Sequence, residues 1–261
     1  MTPWEAVLIA AAGMAAGTIN TIVGSGTLVT FPTLLFFGYA PVSANVSNSL
    51  GLVAGGVSGA WGYRRELSGL RSTLVALVPA SLAGGVIGAL LLLVLPESAF
   101  ETIVPALIAV ALLLVVIGPR LNRWAAARRE SAGVTSTQRE WGWPRGVALV
   151  GGVLLGGVYG GYFGAAQGVL LVGLMGALLP LGLQQINGIK NVLALVVNLV
   201  AALVFLIVQP EQIDWLVVLL IAAGSTIGGV LGARVGRSMP PWLLRGVILV
   251  IGVVAIAVLL T

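Results

Sequence analysis

The sequence predicts an all-α integral membrane protein with an inverted-topology repeat, each half holding one broken helix–loop–helix segment and three transmembrane helices. Hydrophobic residues make up 59% of the 261 residues and charged residues only 8%, whereas a soluble domain carries about 25% charged residues. The apolar runs are long and continuous, which favours helices over the roughly ten-residue alternating segments of a barrel. Glycine-rich interruptions recur in two of these runs, one in each half.

The apolar segments lie at 4–20, 26–38, 43–62, 72–95, 100–118, 145–162, 168–181, 187–208, 213–233 and 242–260. The one long polar stretch between them is rich in arginine and predicts a boundary. We therefore expect one membrane domain made of a first transmembrane repeat at 1–118, a cytoplasmic linker at 119–144 and a second repeat at 145–261. Within the linker, residues 120–130 predict a short interfacial helix. The first residues have no basic region, so no cleaved signal peptide is expected.

The first apolar stretch is too long for a single crossing. From Trp4 to Gly38 it would measure roughly 50 Å as one α-helix, but the hydrocarbon core of a bilayer is about 30 Å thick. The run Gly24-Ser25-Gly26 is where a break costs least, and Gly164 to Gly168 is its later counterpart. Backbone groups freed by a break inside a bilayer must be buried in protein or line a cavity. Each break is therefore a candidate binding site.

Matching glycines indicate that the halves are related. Gly84 to Ala89 reads GGVIGA and recurs as GGVLGA 144 residues later, and the same offset pairs Gly24 with Gly168. Several matches at one offset predict a tandem duplication. For the glycines of the repeated GGV(I/L)GA motif we expect a role in close helix packing and none in the site.

The arginines predict how the halves are oriented. Arg64, Arg65 and Arg71 lie in one loop, which the positive-inside rule places in the cytoplasm together with the linker. Arg234 and Arg237 fall on the same side only if the segment 145–181 enters and leaves the membrane from one face. The same must then hold for the first hairpin, so the halves are inverted and both termini are external.

Uncharged polar side chains gather at the breaks and on the helices that follow them. Helices that begin near Gly26 and Gly168 would direct their positive dipole ends towards the breaks. For each residue alone, the alternative is an interhelical hydrogen bond of about 0.6 kcal/mol. The candidate substrate-binding residues are Asn20, Gly24, Ser25, Gly26, Thr27, Asn48, Ser49, Gln167, Gly168, Lys190 and Asn191.

The charges within the apolar segments favour an anion over a cation. No acidic residue lies deep in any segment, and the chain has neither histidine nor cysteine. Lys190, the only lysine, lies inside a segment, where it would attract an anion; the alternative is that it extends to the headgroups from near a helix end. No paired carboxylates or nucleophile–base arrangement is available, so we expect no enzyme, cofactor or metal site.

The motifs resemble those of the sulfite exporter (TauE/SafE) family over nearly the whole chain. The resemblance rests on GTINTIVGSG at 17–26, FPTLLFFG at 31–38 and SNSL at 47–50, with a repeat at 164–168 and LLPLGL at 178–183. It implies a plasma-membrane permease that moves sulfite or organosulfonates, usually outward.

We therefore expect a multi-pass secondary transporter of the plasma (inner) membrane that exports a small sulfur-containing anion, such as sulfite or sulfoacetate. The alternative is an anion channel or a non-transporting membrane subunit of the same fold. The expected partners are this anion and the lipid bilayer, without nucleic acid. The sequence leaves the particular anion, any coupling ion, the direction and the oligomeric state open, and a homodimer is one option.

Overall fold

The structure is a computed structural model that describes residues 1–131 and 143–235, together with positions 246, 249, 250 and 253. Within the two long ranges the chain is helical and contains no strand. Its helices are α1 (Pro3–Ile22), α2 (Thr27–Phe36), α3 (Pro41–Gly62), α4 (Arg71–Val94), α5 (Glu97–Ser131), α6 (Trp143–Tyr162), α7 (Gln167–Leu178), α8 (Leu183–Val208) and α9 (Trp215–Val235). Residues 132–142 of the predicted linker, most of the predicted segment at 242–260 and Arg237 lie outside the described residues.

Helix lengths separate membrane-spanning elements from half-length ones. Five helices are long and apolar enough to cross a membrane: α1, α4, α8, α9 and the Ser98–Gly118 part of α5. The helices α2 and α7 have only 10 and 12 residues, which at 1.5 Å per residue is about half of a bilayer's hydrocarbon thickness. The predicted all-α, multi-pass membrane fold is confirmed. The predicted breaks in the two long apolar stretches, one containing Gly24 and one containing Gly164, are confirmed as well.

The helix α5 differs from the sequence-based expectation. It runs without interruption from Glu97 to Ser131, so the prediction of a separate interfacial helix at 120–130 is wrong. These residues are the end of α5 instead. Arginine and alanine dominate the stretch after Pro119, and both are strong helix formers. A run of such residues continues a helix that has already formed more readily than it starts a new one.

Helices of one half pack mainly on helices of the other half. The helix α1 packs along α9, and α6 packs along α4; the central helices α3 and α8 contact each other and also pack on α9 and α4 respectively. Glycines make these contacts close. A Cβ atom built on Gly84 would lie 2.2 Å from the carbonyl oxygen of Leu154, and one on Gly228 would lie 2.0 Å from that of Met14. The predicted packing role of these glycines is confirmed.

An aromatic cluster fixes α2 against the end of α6. Phe31, Phe100 and Phe163 are all buried, and their rings meet edge to face at centroid distances of 5.3 to 6.3 Å. Such geometries are favourable beyond the apolar area they bury. The cluster therefore holds a half-length helix of the first half beside the break of the second half.

Candidate functional site

Each half contains a four-residue break between two helices. The first break consists of residues 23–26, between the end of α1 at Ile22 and the start of α2 at Thr27. The second break consists of residues 163–166, between the end of α6 at Tyr162 and the start of α7 at Gln167. The predicted helix starts near Gly26 and Gly168 are thus confirmed to within about one residue, which is the usual uncertainty of helix boundaries.

The two breaks begin with the same backbone turn and differ at their last residues, where Gly26 has a φ of −61° and Ala166 a φ of 62°. Gly24 and Gly164 have φ angles of +89° and +77°, which glycine adopts without a Cβ penalty. Their amides donate to the carbonyl oxygens of Ile19 and Tyr159, five residues earlier, at 3.0 and 3.1 Å. Equivalent residues in the breaks are therefore 140 positions apart. The pairing of Gly24 with Gly168 as repeat counterparts, predicted from the 144-residue offset, is wrong.

Gly24 and Gly168 instead form the point where the breaks meet. The amide of Gly168 donates to the carbonyl oxygen of Gly24 at 3.0 Å. A Cβ atom built on either glycine would lie 2.4 Å from the Cα atom of the other, a distance that real Cβ atoms do not reach. Backbone therefore packs on backbone here, and only glycine fits on both sides. We call this contact the crossing.

Two buried side chains next to the crossing have unsatisfied polar atoms. Ser25 is fully buried and Gln167 is 4% exposed, and neither the Ser25 hydroxyl nor the Gln167 amide nitrogen has a hydrogen-bond partner. Each residue is adjacent in sequence to one of the two contacting glycines. An unsatisfied buried polar group costs about 1–3 kcal/mol, so a ligand that accepts hydrogen bonds from both would remove this cost.

The first turns of α2 and α7 lie beside these donors. The residues that precede the two helices, Gly26 and Ala166, provide no side-chain cap. Ala166 is in the left-handed region at φ 62°, the one such non-glycine residue in the described chain. Backbone carbonyls already accept from several first-turn amides, those of Leu28, Val29, Gly168 and Val169. The positive end of the helix dipole, rather than a set of free amides, therefore favours a negatively charged ligand here.

Thr27 and Asn48 belong to a hydrogen-bonded contact between α2 and α3. The Asn48 amide donates to the Thr27 hydroxyl at 3.3 Å, and the Thr30 hydroxyl donates to the Asn48 carboxamide oxygen. This is the interhelical role that the sequence leaves as the alternative for such residues. Ser49, also buried on α3, is the next residue along that helix.

Lys190 is directed into the protein. Its side chain is fully buried, and its ammonium donates to the carbonyl oxygens of Asn20 and Thr21 at 3.0 Å each. The neighbouring Asn191 amide donates to the same Thr21 oxygen at 3.2 Å. A Cβ atom on Gly168 would lie 2.9 Å from the Lys190 Cδ atom, so the lysine stem packs against the crossing. The alternative, in which Lys190 extends to the lipid headgroups, is wrong.

Asn45 is a residue of the site that the sequence-based interpretation missed. It is 1% exposed, and its amide donates to the carbonyl oxygen of Tyr162, the last residue of α6, at 3.0 Å. The sequence could have indicated Asn45, because it lies three residues before Asn48 and hence on the same face of α3.

The described acidic residues are all near helix ends or in loops, among them Glu5, Glu66 and Asp214.

Several apolar spanning helices and two half-length helices with breaks that meet define a multi-pass membrane protein with discontinuous helices, an architecture common among transporters. The family model of the sulfite exporter TauE/SafE matches residues 9–259, and the chain belongs to this family. The predicted family is confirmed.

Named relatives in the same family point to the same class of protein. The chain is similar to a "Probable membrane transporter protein" of Haemophilus influenzae, with 27% identity over 91% of this chain and 88% of the relative. It is also similar to "Probable membrane transporter protein YfcA" of Escherichia coli K12, with 26% identity over 95% of this chain and 86% of the relative. These names indicate a membrane transporter. No solved structure matches the chain.

Proposed function

We propose that this protein is a secondary transporter that exports a small sulfur-containing anion, such as sulfite or an organosulfonate, through a site at the crossing. One observation carries the proposal: Ser25 and Gln167 hold buried, unsatisfied polar atoms next to the starts of two helices that have no side-chain cap. The family description, sulfite exporter, supports the substrate class.

The chemistry of the crossing suits a compact oxyanion. Sulfite and sulfonate groups have three acceptor oxygens, and the Ser25 hydroxyl and Gln167 amide are donors without partners. Hydrogen bonds to an ionised acceptor are roughly twice as strong as neutral ones. The proposal also includes the other predicted site residues, which lie in the two breaks or on the helices next to them: Asn20, Gly24, Gly26, Thr27, Asn48, Ser49, Gly168, Lys190 and Asn191.

We further propose that residues 1–118 and 145–261 form inverted repeats, joined by a cytoplasmic linker that begins at residue 119. The matching turns at Gly24 and Gly164, each with a positive φ and an amide bonded five residues back, support a duplication. The reciprocal packing of α1 on α9 and of α6 on α4 supports a pseudo-twofold relation between the halves. In transporters of this kind, one repeat rocks against the other and exposes a central site alternately to each side.

This topology places both termini outside the cell. Single cysteines replacing Thr2, Ser136 and Thr261 in the cysteine-free chain can be treated with a membrane-impermeant thiol reagent in intact cells. We expect labelling at positions 2 and 261, and labelling at position 136 only after the cells are permeabilised. Labelling of intact cells at position 136 alone would refute the orientation.

Flux through purified protein tests the proposed function. In proteoliposomes loaded with sulfite or sulfoacetate, we expect saturable efflux that a second anion competes for and that an inside-negative potential accelerates. The expected driving energy is about 2.3 kcal/mol per charge per 100 mV, and the charges of the described site include no carboxylate to carry a proton.

Three outcomes would count against this account. Flux that does not saturate would indicate an anion channel of the same fold. Flux that follows a pH gradient and ignores the potential would contradict export on membrane potential alone. Liposomes with the protein that leak no faster than empty ones would favour a non-transporting subunit.

A further inference from the structure

A helix break leaves carbonyl groups as well as amides without helical partners. In α1 the amide of Gly24 donates to Ile19, one residue beyond the usual acceptor. The carbonyl oxygens of Asn20 and Thr21 therefore face the break without the helical bonds that a continuous helix would provide. They also form the negative end of the α1 dipole. A site for an anion next to this helix end requires that the negative end be masked.

Each break helix receives its missing donors from the central helix of the opposite half. On α8, Lys190 and Asn191 donate to the two open carbonyls of α1. On α3, Asn45 donates to the carbonyl of Tyr162 at the end of α6. All three donors are buried, with 0%, 6% and 1% exposure.

The two arrangements are reciprocal in position but unequal in charge. The end of α1 accepts three hydrogen bonds, two of them from an ammonium, and a cation at a helix C-terminus offsets the negative end of the dipole. Asn45, the donor seen at the end of α6, is neutral. The groups that face the Lys190 side chain in the described structure are the carbonyls of α1 and the backbone of Gly168.

We infer that Lys190 is a positioning residue, whose ammonium holds and masks the carbonyl end of α1 so that the positive starts of α2 and α7 dominate at the crossing. Its effect on the anion is transmitted through α1 and not through direct contact. Asn45 is its neutral counterpart on α6. This inference rests on the proposed function for its effect on anions, but the hold on α1 can be tested without any substrate.

The substrate-free test uses a reporter cysteine at the end of α1. Val23 is the residue after the last turn of α1 and is half-buried, so Val23→Cys reports opening of this end. In membranes without added anion, Lys190→Met should increase the rate at which this thiol is labelled by a small maleimide several-fold. Asn45→Leu, which removes the donor to the other break helix, is the matched control and should leave the rate unchanged. An unchanged rate in Lys190→Met would overturn the inference.

If Lys190→Met protein is not recovered, Asn191→Leu decides the same question. It removes one of the three hydrogen bonds to α1 and no charge, so a smaller increase in labelling of Val23→Cys is expected. No increase would overturn the inference.

A second readout separates masking from a purely structural role. In proteoliposomes, Lys190→Met should raise the KM for a doubly charged anion, sulfoacetate, more than that for a singly charged one, taurine's N-acetyl derivative. Asn45→Leu should leave the ratio of the two KM values unchanged, because the donor it removes is neutral. An equal ratio in wild type and Lys190→Met would overturn the masking role. Wild-type protein that moves no anion would refute the proposed function, while the labelling result would still decide the hold on α1.

Discussion

Gly168→Ala should abolish transport and lower the thermal stability of the protein. A Cβ atom at position 168 would lie 2.4 Å from the Gly24 Cα atom and 2.9 Å from the Lys190 Cδ atom. The lysine stem can move slightly, but the Gly24 backbone can move only if the two breaks separate. Overpacking of this kind typically costs about 1–3 kcal/mol. Anion efflux from proteoliposomes and the unfolding midpoint in detergent measure the two effects.

Gly151→Ala is the matched control. Gly151 lies on α6, and a Cβ atom there would meet nothing within 4 Å. Alanine is favoured over glycine in a helix by about 1 kcal/mol, so this variant should transport normally and be at least as stable as the wild type. Normal flux in Gly168→Ala would show that the tight crossing is not needed for transport.

The double variant Ser25→Ala, Gln167→Leu should lose the stabilisation that an anion provides and keep the fold. The polar atoms it removes are buried and have no partner, and removing an unsatisfied polar group from a protein interior costs little or is stabilising. A ligand that binds only the folded state raises its stability in proportion to occupancy. Thermal unfolding with and without sulfite measures both properties in one experiment.

Ser81→Ala provides the opposite pattern as a control. The Ser81 hydroxyl is also buried, but it donates to the Leu193 carbonyl oxygen at 3.0 Å. Its loss should lower the unfolding midpoint without changing the shift caused by the anion. If the double variant responds to sulfite like the wild type, the anion binds elsewhere.

The two breaks were predictable from length and composition. An apolar run that exceeds a bilayer's thickness must be interrupted, and in both halves glycine marks the place, with positive φ at Gly24 and Gly164. The helix starts followed from the same positions. These features depend on local backbone freedom, which a glycine in the sequence displays directly.

The register between the halves was not predictable from matching letters. The breaks are 140 residues apart, whereas the starts of α4 at Arg71 and α9 at Trp215 are 144 apart. Part of the difference lies in the half-length helices, because α7 is two residues longer than α2. The 144-residue offset matched Gly168 with Gly24 as its repeat counterpart. In the structure Gly168 is instead the residue that Gly24 contacts, and a sequence offset does not show contacts.

The partners of Lys190 and Asn45 were equally hidden. Their hydrogen bonds go to backbone carbonyls of α1 and α6. Every residue has such a carbonyl, so the sequence does not show which of them accepts a bond. The sequence could show that Lys190 is a lone cation in an apolar segment, but its contact with the other half depends on how the helices pack. The closeness of the chain at Ser25 to the chain at Gln167, through the neighbouring Gly24 and Gly168, depends on the same packing.

Titration of the purified wild-type protein with anions tests whether a sulfur oxyanion binds at the crossing. Thermal unfolding is followed at constant ionic strength with sulfite, sulfoacetate, taurine, sulfate and acetate. We expect the unfolding midpoint to rise with the concentration of sulfite or sulfoacetate and to be nearly constant with acetate. The Ser25→Ala, Gln167→Leu variant should lack this response. A midpoint that no sulfur-containing anion raises, or that acetate raises equally, would contradict a sulfur-oxyanion site at the crossing.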